Sequence, residues 1–217
     1  MSSFFIVKDT LLDTKSVSTS QPDPARASLI VQDIIQELQD IITLPEKVPF
    51  FLIVAVHGQT IRLRIVMIWA CDVRYAIANL SIFTIKEVNV CFPPDMGLLV
   101  YLPKITGNQS LTCELAYIEC EFSSMEVRKL GFISCVVPGG CNEVVQAALE
   151  LAKTIAMKSL ITMNRAERLI SHVRDYSVTE SMTYMQSWAA HTLMTDASQF
   201  KLGFSEIQFN NIFSNRI

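Results

Sequence analysis

Between residues 48 and 137 the chain is an almost unbroken succession of apolar runs of strand length, broken by Gly, Pro, Asn and Asp. Such a region cannot stay exposed, and its turn signals recur too closely to leave room for long crossover helices. PFFLIVAV at 49–56 is a continuous apolar strand, followed by a turn at His57-Gly58-Gln59. Residues 60–69 alternate, with Ile61, Leu63, Ile65, Met67 and Trp69 on one side and Thr60, Arg62 and Arg64 on the other. That is the period of a half-buried strand. Residues 72–79 fit a helical turn or two, and residues 80–92 a long strand with a bulge near Ile85–Val88. LLVYLPKI is an edge strand, since Pro103 cannot donate to a ladder. LTCELAYIECEF and EVRKLGFISCVV close the region.

Helices flank it. Asp23 is a good N-cap and Pro24 suits a first helical position, so a helix is expected over 24–44, ended by Pro45. After residue 141 the apolar residues recur at helical spacing over 142–194, and Ser177-x-x-Glu180 matches a capping box. The fold class expected is therefore α+β: an N-terminal helix, a central, mostly antiparallel sheet or sandwich of about six or seven strands, and a C-terminal helical cover. Residues 1–23, rich in Ser, Thr, Asp and Pro, form a flexible arm. Residues 24–217 make a single domain, with 195–217 as an aromatic tail.

Half of the 217 residues are hydrophobic and 18% are charged. Ordinary domains carry about a quarter charged residues, so apolar surface is expected to remain for a homo-oligomer. The net charge of -3 argues against a body that is wholly a nucleic-acid binder. No uninterrupted apolar run is long enough to span a bilayer, and MSSFFIVKDTLLD has no basic n-region of a secretory signal. The six cysteines form no C-x-x-C pair and fit reduced, buried positions in a cytoplasmic protein.

Candidate chemistry is sparse. Pro138-Gly139-Gly140-Cys141 joins a strand to a helix, a place where backbone amides and a thiolate can gather. It matches no phosphate-loop spacing. A Cys141 nucleophile with His172 or His191 as base is the enzymatic alternative. Glu114, Glu119, Glu121 and Glu126 fit the solvated side of a strand and turn. No two Cys or His residues show metal-ligand spacing, and no cofactor motif is present. The feature with most content is basic: Lys153, Lys158, Arg165, Arg168 and Arg174 stand against Glu167 over 153–174. Arg165, Arg168 and His172 share a helix face. These five cations are the expected anion-binding residues, meeting membrane headgroups or nucleic acid. The expected function is thus a non-enzymatic assembly protein in the style of a viral matrix, capsid or movement protein.

Overall fold

The computed structural model describes residues 23–85, 96–118 and 120–193. The chain divides after Ala152 into two compact units.

The first unit opens with α1 (Pro24–Ile42), whose start the sequence announces. Asp23 caps it, its Oδ1 accepting from the Ala25 N–H at 3.0 Å, and Pro24 takes the first position. Thr43 ends it and Pro45 opens a single further turn, α2 (Leu44–Lys47). Then come β1 (Ile53–Val56), β2 (Gln59–Ile61), α3 (Leu63–Trp69), β3 (Val73–Ile77) and β4 (Ile82–Ile85). After the undescribed residues 86–95 follow α4 (Leu98–Thr106), α5 (Gln109–Tyr117), β5 (Cys120–Ser123), α6 (Ser124–Lys129), β6 (Cys135–Val137) and α7 (Cys141–Ala156).

The strands form two small three-stranded sheets. One has the order β1-β3-β6 and is parallel throughout, with Val56 opposite Ala76 and Tyr75 opposite Cys135. The other has the order β2-β4-β5; β2 and β4 are parallel, and only β4 and β5 run antiparallel. This corrects the expected central antiparallel sheet or sandwich. Much of the presumed β region is helical. Residues 63–69 form α3, 98–106 form α4 with Pro103 inside it, 109–117 form α5, and 124–129 form α6. Conversely, residues 73–77 are the central strand β3 rather than a helical turn.

The physical reason is burial. A short apolar run buried on most sides looks alike as helix or strand, and its neighbours decide. The buried residues betray the helical period: Leu98, Tyr101 and Leu102 in α4, and Thr112, Leu115 and Ala116 in α5. Pro103, the sixth residue of α4, forfeits the single bond its N–H would have made to the Leu99 carbonyl, and α4 ends three residues later, before a left-handed Gly107. Asn108 then caps α5 through the Leu111 N–H at 3.1 Å. The bulge expected near Ile85–Val88 lies mostly outside the described residues.

These helices and sheets share one core, with Val56, Val66, Trp69, Phe83, Leu102, Val127 and Phe132 buried. Trp69 and Phe132 meet edge to face, ring centroids 4.9 Å apart. Beside that pair, Arg74 of β3 ties three segments together. Its Nε donates to Phe132 O at 2.6 Å, and its Nη1 to Trp69 O at 3.2 Å and Cys71 O at 2.6 Å. Asp72 accepts from the Leu52 N–H at 2.7 Å and so fixes the entry to β1. Burial raises the Asp72 carboxyl above its ordinary range, against that hydrogen bond. Burial likewise pushes the Cys71 thiol up to about 11, leaving it unreactive at neutral pH.

The second unit, described through residue 193, contains the antiparallel pair α8 (Leu160–Asp175) and α9 (Val178–Leu193). The capping box expected at α9 is formed: Ser177 N–H and Oγ both donate to Glu180 Oε2, and the Glu180 N–H donates to Ser177 Oγ. No described helix is long and apolar enough to cross a membrane.

Arg74→Met removes the donors of three carbonyls at once. It is expected to lower the unfolding free energy by about 3 kcal/mol in urea titration. Arg74→Lys should recover only a minor part, because an ammonium cannot span three acceptors in one plane. An unchanged midpoint in Arg74→Met would show that these contacts are incidental.

Candidate functional site

Strands β1 and β3 each leave the parallel sheet at a corner and re-enter the chain's path as β2 and β4 of the other. The corners need unusual backbone. Gly58, at φ 81, turns β1 into β2, and Asn79, at φ 64, turns β3 toward β4. Asn visits the left-handed region more readily than most side chains do. Ser81, 1% exposed, locks the two corners to each other. Its hydroxyl donates to Val56 O at 2.9 Å and accepts from the Ile77 N–H at 3.2 Å. The Ala78 N–H donates to Val137 O, bringing the end of β6 alongside. The carboxyl ends of three parallel strands therefore converge, which is where open α/β sheets bind ligands.

At this edge the step from β2 to α3 is the most constrained. Arg62 has φ 55 and ψ -125. This is not the left-handed helical basin but a region that a Cβ makes costly, by about 1–3 kcal/mol. The Arg62 N–H donates to Thr84 O at 3.3 Å, pinning the turn to β4, and Arg62 O accepts from the Ile65 N–H at 2.8 Å. No side chain caps α3. The first amides of a helix lack i→i−4 partners; here the Ile65 N–H is taken by Arg62 O, and the Leu63 N–H at the uncapped start can meet an oxygen that gains negative charge. The wall beside it is apolar and tight. A Cβ on Gly97, itself at φ 97, would come within 3.2 Å of Val66 Cγ1.

The residues singled out from the sequence stand on other elements. Cys141 is exposed at the first position of α7. The amide of Gly140 in the adjacent Gly-rich turn already donates to Glu143 Oε2 at 2.6 Å. That hydrogen bond holds the Glu143 carboxyl below the usual range, so the helix supplies its own anion. His172 is occupied too. Its Nδ1 lies 3.3 Å from Ser181 Oγ, and its ring is stacked between Tyr176 and Tyr184, each centroid 4.1 Å away. His191 and His57 are exposed. Of the carboxylates, Glu126 closes a capping box with Ser123, and Glu119 lies outside the described residues. Of the five cations, Lys153 and Lys158 are exposed, and Arg174 sits 3.4 Å from Asp175. Arg165 and Arg168 are brought together over Trp188. Among the described residues no three His, Cys, Asp or Glu side chains gather as a metal site.

Residues 24–206 match the Enoyl-CoA hydratase/isomerase family. The chain is 38% identical over 173 residues to the human mitochondrial Delta(3,5)-Delta(2,4)-dienoyl-CoA isomerase, covering 80% of this chain and 52% of that protein. It is 30% identical over 188 residues to the peroxisomal Delta(3,5)-Delta(2,4)-dienoyl-CoA isomerase of Arabidopsis thaliana, covering 87% and 66%. The chain thus spans about half the length of the mitochondrial relatives. Among solved structures, an enoyl-CoA hydratase from Bacillus anthracis aligns with a TM-score of 0.71 at 20% identity, covering 83% of this chain and 69% of that one. One from Thermoplasma volcanium aligns at 0.69 and 19%, covering 83% and 68%.

These likenesses overturn three expectations. The fold is that of the hydratases, with helices around small parallel and mixed sheets. The relatives are enzymes, so the reading as a non-enzymatic assembly protein of viral matrix, capsid or movement type is wrong. So is the Cys141–histidine alternative, since the relatives are named for isomerase chemistry and His172 is engaged with Ser181 and two tyrosines. Arg62 was missed because residue type does not reveal a dihedral angle.

Arg62→Gly is expected to raise the unfolding free energy by about 1 kcal/mol, the strain released less the entropy that Gly loses on folding. Arg62→Ala keeps the Cβ and should bring no gain. Thermal unfolding of both variants checks the pair; equal midpoints would show that the turn is unstrained.

Proposed function

The chain belongs to the enoyl-CoA hydratase/isomerase family, and on that footing we propose that it acts on an acyl-coenzyme A thioester, moving the double bonds of a 3,5-dienoyl chain to positions 2 and 4. The observation that carries the reading is the 38% identity over 173 residues to a dienoyl-CoA isomerase. The reaction removes a proton from C2 and delivers one to C6. It changes no oxidation state and so asks for no redox cofactor. Negative charge collects on the thioester oxygen as C2 loses its proton. We assign the Leu63 N–H, at the uncapped start of α3, as a donor to that oxygen, and a preorganised donor of this kind contributes about 3–4 kcal/mol to such a step. The apolar core beside it, with Val66, Leu98 and Tyr101 buried, lowers the local dielectric and strengthens a hydrogen bond made there.

We also propose that the chain works as a homo-oligomer. On α9, Val178, Met182, Met185 and Ala189 recur at helical spacing and are all exposed, Val178 at 80%. On α8, Ile170 is 73% exposed. Uncharged stripes of this length are commonly covered by a partner. The relatives' names place them in mitochondria or peroxisomes, which supports an organellar rather than a cytoplasmic setting.

The purified chain, given a 3,5-dienoyl-CoA, is expected to generate the long-wavelength absorbance of a dienoyl group conjugated with its thioester. A chain that neither turns over nor binds this thioester would sink the assignment. Light scattering is expected to return a multiple of the chain mass, and Met182→Glu with Met185→Glu to shift it toward a single copy. A parent that stays monomeric at high concentration would refute the oligomer.

A further inference from the structure

We propose that Arg165 and Arg168 of α8, held over Trp188 of α9, form a binding site for a compact phosphate or pyrophosphate group on a small molecule. The two guanidinium carbons each lie 5.6 Å from the centroid of the same indole ring. One donor of each is already committed: Arg165 Nη1 to Trp188 O at 3.2 Å, and Arg168 Nε to Asn164 Oδ1 at 3.2 Å. A guanidinium has five N–H donors in a fixed fork, so each keeps most of its set.

Two like charges one helical turn apart repel. Nothing described neutralises them. Neither arginine makes an ion pair among the described residues, and Glu167, between them in sequence, receives the Ser171 hydroxyl at 3.4 Å. The ring faces offset only part of the repulsion, at about 0.5–1 kcal/mol for an exposed cation–π contact. A pair of cations held in place by an aromatic ring and two hydrogen bonds has therefore met its ordering cost before any anion arrives. An anion that accepts from both forks would offset what remains of the repulsion. Phosphate oxygens match the planar fork in bidentate fashion, which a point-charge ammonium does not.

Charge distribution favours a single compact group over a membrane. Attraction to an anionic leaflet draws on clusters of about 4–8 cations. Here Arg174 is paired with Asp175, and Lys153 and Lys158 precede α8 rather than lying on it. The proposal rests on the α8–α9 pair alone and not on the isomerase assignment.

Pyrophosphate titrated into the full chain is expected to bind saturably, measured by calorimetry, and to shift the arginine Nε–H resonances of Arg165 and Arg168. The double variant Arg165→Gln, Arg168→Gln should weaken binding about tenfold or more. Arg168→Lys, which keeps the charge and the ring contact, should weaken it by a smaller factor. Lys153→Gln should leave it unchanged. Unshifted Arg165 and Arg168 resonances in the parent would overturn the proposal even if the double variant fails to fold. So would binding unaffected by the double variant, or binding to phosphatidylserine vesicles in place of pyrophosphate. An inactive isomerase that still binds pyrophosphate through these residues would refute the activity and leave this site standing.

Discussion

Parallel pairing of β1 with β3 and of β3 with β6 is the constraint from which the rest of the first unit follows. A parallel neighbour cannot be reached by a tight turn, so the chain must travel the length of the sheet before it can return. From β1 it does so through the Gly58 corner, β2 and α3, arriving at β3 in register with Ile53 opposite Val73. Arg74 then secures the return. By donating to Trp69 and Cys71 at the end of α3 and to Phe132 ahead of β6, it fastens both flanks of the central strand. A side chain that must satisfy three carbonyls from two directions leaves little freedom in where those segments go. That fixity allows the two corners, and the turn at Arg62, to be built reproducibly.

Elements with local punctuation could be read from the sequence. Asp23-Pro24 marks the start of α1, and Ser177-x-x-Glu180 that of α9, because a capping residue acts through amides two or three positions away. The same signal stands at Ser123-x-x-Glu126, where Ser123 and Glu126 close a capping box at α6. It was obscured by the apolar stretch on either side, which suggested a strand. Residues 63–69 offered no such mark. In LRIVMIW the alternation of Leu63, Ile65, Met67 and Trp69 suggests a strand, but Val66 and Ile68 are apolar too, so a helix also fits, and it wins because Ile65, Val66 and Trp69 find partners in the core. Parallel rather than antiparallel pairing is less legible still. It depends on which strands become neighbours after the helices pack, not on any one strand's composition.

The candidate site divides in the same way. A basic face over Arg165 and Arg168 follows from spacing along one helix, and the sequence shows it. That Trp188, more than a dozen residues away, lies beneath both guanidiniums depends on how α8 and α9 pair. The histidines illustrate the reverse. His172 shares the α8 face with the two arginines in the sequence pattern, yet Tyr176, Tyr184 and Ser181 take up its ring and its Nδ1. A titratable residue in a promising position is available for chemistry only if its neighbours leave it so, and spacing carries no information about neighbours on another helix.

Arg62 poses the question of why a costly conformation persists. Two penalties fall at one place: a Cβ in a region of φ and ψ suited to glycine, and a cation at the positive end of a helix. Together they amount to about 1–4 kcal/mol. Against them stands the burial of Ile65, Val66 and Trp69 on the same short helix, each less than 5% exposed. Burying a large apolar side chain contributes about 1.5–3 kcal/mol, so three outweigh the strain even after the reduction owed to a compact unfolded state. The hydrogen bond from Arg62 N–H to Thr84 O adds to that margin. Helix α3 is thus held by its buried face and not by its start. A helix anchored in this way can leave the Leu63 amide without a side-chain cap and still keep it in a fixed position, which is the property a site for a developing oxyanion demands.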